Sequence, residues 1–62
     1  MNIERMIDVA LRNLSIKHTI FLMERRTYKD NKVYKSYILS IDGEQEEYRN
    51  KYDLFFAIKE MI

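Results

Sequence analysis

Sixty-two residues allow one small core and one domain, and a chain of this size buries only about 60% of the surface that its unfolded form exposes. With no cysteine, a single histidine and a single glycine, it has no means of forming disulfide staples, thiolate metal sites or glycine-rich phosphate loops. Eleven Lys and Arg side chains against ten Asp and Glu leave a net charge of +1 that favours no partner class, although residues 1–43 carry eight basic groups against five acidic ones and 44–62 carry three against five.

No apolar run reaches the roughly 20 residues needed to span a bilayer, and the start of the chain lacks the basic-then-apolar layout of a signal peptide. The expectation is a soluble cytoplasmic protein. The excess of Ile, Lys, Asn and Tyr over Ala, Gly and Pro is a bias associated with AT-rich genomes, among them those of many Gram-positive bacteria and their phages.

Residues 2–14 repeat apolar side chains at Ile3, Ile7, Ala10, Leu11 and Leu14, a spacing that draws one stripe along a helix; Met6 and Val9 widen it. Asn2 is the expected cap, and Asp8 and Arg12, four apart, are placed to pair on the outer face. Ser15 to Lys17 connects this helix to the first strand.

From His18 to Gly43 the sequence reads as a β-hairpin, with two β-branched and aromatic runs separated by Lys29-Asp30-Asn31-Lys32. Asp30-Asn31 suits a two-residue turn because both types tolerate positive φ. That turn sets Tyr28 opposite Val33, Leu22 opposite Leu39 and Ile20 opposite Ile41. One face then carries Ile20, Leu22, Tyr28, Val33, Tyr37, Leu39 and Ile41 and is expected to be the core. The other carries Phe21, Met23, Tyr34 and Ile38 among Thr19, Arg25, Thr27, Ser36 and Ser40. A slip of one residue would exchange the two faces.

Asp42-Gly43 is the strongest turn signal in the chain, and it predicts a third strand over Glu44 to Arg49. Most of that segment is charged, as an edge strand must be to avoid pairing with other chains. In register, Tyr48 falls opposite Tyr37, and Glu46 falls on the core face near the edge, the sign of a bulge or of a shifted register. Asn50 is the expected cap of a last helix with Asp53 in its first turn and Leu54, Phe55, Ile58, Met61 and Ile62 at helical spacing. The fold class expected is α+β: α-β-β-β-α, a three-stranded antiparallel meander with both helices packed on one face.

No catalytic residue, cofactor or metal site is expected. His18 reads as a polar residue at the start of the first strand, and the serines lack the glycine context of a nucleophile elbow. Glu44, Glu46 and Glu47, on one strand, point to alternating sides and do not converge on a cation.

Two functional classes remain. Phe21, Met23, Tyr34 and Ile38, with Arg25 at their rim, form an apolar set on the face away from the helices, the mark of a protein-binding or self-associating module. The expected partner is a second copy or another protein, as for a phage or mobile-element factor acting on a host protein. The alternative is nucleic acid. Arg25, Arg26, Tyr28, Lys29, Lys32, Tyr34 and Lys35 interleave basic and aromatic side chains in the pattern that stacks bases while neutralising phosphates.

The order of elements resembles that of the double-stranded-RNA-binding domain, which is also α-β-β-β-α at about this length. That family begins its last helix with a basic, alanine-containing cluster, where this chain has Asn50-Lys51-Tyr52-Asp53-Leu54-Phe55, and its glycine- and histidine-containing strand loop has no counterpart here. The resemblance covers topology alone and implies no functional residue.

Overall fold

The computed structural model describes residues 2–61, in the order α1 (Ile3–Leu14), β1 (Ile20–Lys29), β2 (Lys32–Ile41), β3 (Glu44–Tyr48) and α2 (Lys51–Met61). The three strands form one antiparallel sheet in the order β1-β2-β3, with the helices on one side. Both turns follow from local chemistry. Asp30 and Asn31 have φ of 51° and 60°, and Asp42 and Gly43 have φ of 52° and 91°, the paired positive values that match the twist of the strands they join.

These turns set the register. Ile20 faces Ile41, Leu22 faces Leu39 and Tyr28 faces Val33, while Tyr37 faces Tyr48 and Leu39 faces Glu46 in an unbroken β2–β3 ladder. Glu46 needs no bulge, because it sits exposed at the sheet edge.

Each helix starts at an asparagine. Asn2 Oδ1 accepts the backbone N–H of Glu4 at 3.0 Å, and Asn50 Oδ1 accepts that of Asp53 at 2.8 Å, so each cap satisfies an amide that the first turn leaves without a partner. Asp8 and Arg12 pair at 3.1 Å as the spacing predicts. The helices run side by side in the same direction: Lys51, at the start of α2, pairs with Glu4, at the start of α1, while Lys59 and Asn13, near their ends, line one groove.

Among the described residues, six apolar side chains form the buried core: Ile7, Ala10 and Leu14 of α1, Leu39 of β2, and Leu54 and Ile58 of α2. Ile3, Leu11, Ile20, Tyr37, Ile41, Tyr48 and Phe55 pack around it half-buried. Several expected core positions need correction. Leu22, Tyr28 and Val33 do lie on the helix side, but Tyr28 is 73% exposed and Val33 52%, and Leu22 is only partly covered. The reason is length: a ten-residue strand extends about 33 Å, whereas helices of 12 and 11 residues extend about 17 Å, so the hairpin tip projects past them. Val9 and Met61, placed on apolar stripes, are half-exposed, and Ile62 lies outside the described residues.

Candidate functional site: the open sheet face

The face of the sheet away from the helices carries the odd-numbered residues of β1 and the even-numbered residues of β2, because side chains alternate along a strand. Met23 lies directly opposite Ile38, and Phe21 lies one step along, opposite Ser40. Phe21 is 62% exposed and Met23 50%, while Ile38, on the central strand, is half-buried by its neighbours. These three form a contiguous apolar patch.

Tyr34 does not join it. Arg25 and Ser36 stand opposite each other between Tyr34 and the apolar trio, and Glu47 reaches both from β3: the Ser36 hydroxyl donates to Glu47 Oε2 at 2.5 Å, and Arg25 Nη1 lies 3.8 Å from the same oxygen. This polar bar divides the face into an apolar half near the helix end of the hairpin and a basic aromatic half at its tip. Glu47 belongs to no motif that marks a site residue, yet its place follows from register, since Tyr48 opposite Tyr37 puts Glu47 beside Ile38.

The tip holds the basic residues, but on two faces. Arg25, Lys29, Lys32 and Tyr34 are on the open side; Arg26, Tyr28 and Lys35 are on the helix side. Two like-charged pairs oppose each other across the ladder, Lys29 with Lys32 and Arg26 with Lys35. The second is neutralised locally, because Glu24 lies 3.6 Å from Arg26 and 3.8 Å from Lys35. Arg49, past the end of β3, borders a shallow depression with Tyr34 and Lys35.

On the helix side a groove of about 430 Å³ separates α1 from β1. Ile7, Leu11, Leu22 and Leu54 supply its apolar surface, and Glu4, Asp8, Glu24 and Lys51 its charged rim, on which Lys51 pairs with Glu4.

His18 has a structural partner. Its Nδ1 stands 2.7 Å from Asp42 Oδ2, and Asp42 Oδ1 accepts the Thr19 backbone N–H at 2.9 Å, so both carboxylate oxygens fasten the β2–β3 turn to the start of β1. These hydrogen bonds, from His18 first and from the Thr19 amide second, hold the Asp42 carboxyl below the usual carboxylate range. The Glu4 carboxyl is lowered by its hydrogen bond and ion pair with Lys51, and Tyr48 is raised by burial and by the nearby Glu46 and Glu60. Among the described residues no cluster of three or more His, Asp and Glu is placed to hold a metal ion, and no helix is long and apolar enough to cross a membrane.

Comparison with protein-family models, with curated proteins and with solved structures finds no match to this chain.

Proposed function

We propose that this chain is a non-enzymatic protein-binding or self-associating module that docks through its open sheet face, as a phage or mobile-element factor directed at a host protein would. The observation behind this reading is the juxtaposition of Phe21, Met23 and Ile38 on a face that no helix covers. An aromatic, a methionine and a β-branched side chain at neighbouring positions of one face, with an arginine at the rim, make the composition that interface centres favour. Arg25 and Tyr34 then contact the partner's periphery, and the Glu47 bar holds Arg25 in place.

The test compares proteins retained from a cell extract by the wild-type chain and by the double variant Phe21→Ser, Ile38→Ser. The variant is expected to keep the far-UV signature of the fold and to lose the retained partner. Retention of the same protein by both chains overturns the reading, and so does turnover of a substrate that vanishes in His18→Ala.

A second reading rests on the pair Lys29 and Lys32, which shares the open side of the tip with Tyr34 while Tyr28 lies on the opposite side. Like charges facing each other across a ladder destabilise it, and a phosphate backbone would relieve that repulsion. Under this reading DNA or RNA is shifted with an affinity that falls steeply with salt, whereas the apolar face responds little.

A further inference from the structure

β1 is a ten-residue edge strand that, among the described residues, has β2 as its one strand neighbour, and all its residues but Ile20 are exposed. Asp42 donates its backbone N–H to the Thr19 carbonyl at 2.9 Å, which makes the odd-numbered residues of β1 the ones bonded to the meander. The N–H and C=O groups of Ile20, Leu22, Glu24, Arg26 and Tyr28 therefore point outward along the free edge. Edges are commonly blunted by charged side chains, which oppose pairing unless the second strand offers the complementary charges. This one carries Arg25 and Lys29 on the open side and, on the helix side, Glu24 and Arg26, opposite charges two residues apart on the same face.

We propose that two copies of this chain join by antiparallel pairing of β1 with β1 of the second copy, in the register that sets Glu24 opposite Arg26, to form one six-stranded sheet. The two-fold axis makes each such pair occur twice. The same register sets Leu22 opposite Tyr28 of the second copy, bringing that ring to the mouth of the groove between α1 and β1. Leu22 and Tyr28, apolar on the helix side yet left uncovered within one chain, thereby cover each other. A shift of two residues one way would set Glu24 against Glu24, and the other way Arg26 against Arg26. At the axis Arg25 meets its own copy on the open side, where each guanidinium keeps Glu47 of its own chain 3.8 Å away as a counter-charge.

The size of the exposed surface agrees. A chain of 7.6 kDa is expected to expose about 4,300 Å² as a compact monomer. This one exposes 5257 Å². The excess of roughly 1,000 Å² is comparable to the ~800 Å² that each partner contributes to an ordinary interface. The proposal is independent of the open-face reading, since such a dimer leaves both open faces uncovered and side by side.

Sedimentation equilibrium, with far-UV circular dichroism to establish that each chain is folded, tests it on wild type, E24R, R26E, an equimolar mixture of these two, and the Phe21→Ser, Ile38→Ser chain. Wild type is expected to be a dimer. E24R and R26E, each setting like charges against each other twice, should weaken dimerisation at least about tenfold. Their mixture should recover it, because each E24R chain meets an R26E chain with both pairs of opposite sign; a contact within one chain cannot produce that recovery. The open-face variant should dimerise as wild type does. A wild-type monomer at high micromolar concentration overturns the proposal. So does a mixture that associates no better than its components, or a dimer lost in the open-face variant but kept in both charge variants, which would assign the association to the open face instead.

Discussion

Leu22 and Leu39 face each other across the β1–β2 ladder, yet Leu39 is 2% exposed and Leu22 40%. Leu39 sits on the central strand beneath the helices, flanked on both sides; Leu22 sits on the edge strand beside the groove. Leu39→Ala and Leu54→Ala should each destabilise the fold by about 2–5 kcal/mol, since both leave cavities among fully enclosed neighbours. Leu22→Ala in dilute solution should cause less than half as much. Chemical denaturation of the three variants measures the difference, and equal losses at positions 22 and 39 would mean that α1 closes over β1 more fully than its groove indicates.

The contrast between these leucines also marks where the sequence was legible. Asp30-Asn31 and Asp42-Gly43 pin both turns, and once a turn is pinned, alternation assigns every side chain to a face, so register, topology and the two asparagine caps are all readable from the chain. Periodicity does not say how far along a strand the helices reach. Tyr28 and Val33 obey the pattern of a core face while lying beyond any cover, and their exposure depends on comparing helix and strand lengths. On the open face, Phe21, Met23 and Ile38 come together as their alternation implies, whereas Tyr34 is cut off by Glu47, a residue that enters from the third strand.

Acid should loosen the fold through Asp42 and Glu4. Both carboxyls lie below their ordinary values in the folded chain, Asp42 through His18 and Thr19 and Glu4 through Lys51. A lowered folded-state value means that the stabilisation is present above the ordinary carboxylate range and is lost as pH falls through the lowered values. Melting temperature should therefore fall in that acid window. Asp42→Asn keeps a side chain suited to positive φ but removes the anion, so its melting curve should depend less on pH there. An unchanged pH profile in both Asp42→Asn and Glu4→Gln would contradict this.

Gly43 has φ of 91°, and a Cβ built on it would meet nothing within 4 Å. Any penalty for a side chain at this position thus comes from the backbone alone. Gly43→Val should destabilise by about 1–2 kcal/mol and Gly43→Asn by less, because β-branched residues resist the left-handed region and asparagine tolerates it. Equal melting of Val and Asn variants would argue against the positive φ.

Asn50 is tied to Asp53 twice, accepting its backbone N–H at 2.8 Å and donating its side-chain amide to the carboxylate at 3.3 Å. Asn50→Ala should lower stability by about 1 kcal/mol, and Asn50→Ser should recover much of it, since a hydroxyl can accept the same N–H. Thermal melts of the two variants are the check; a harmless Asn50→Ala would show that α2 is held by packing alone.

The pairing of α1 with α2 also decides when the protein can fold. Lys51 contacts Glu4 across 47 positions of sequence, whereas each strand bonds to the one that precedes it through a two-residue turn. During synthesis the meander can zip as it emerges, from local contacts that form quickly. Yet five of the six buried core side chains belong to the two helices. A chain halted at Arg49 would own its whole sheet and α1 but lack Leu54 and Ile58, the α2 side chains that close the core over Ile7, Ala10, Leu14 and Leu39, so cooperative folding waits until those two have left the ribosome.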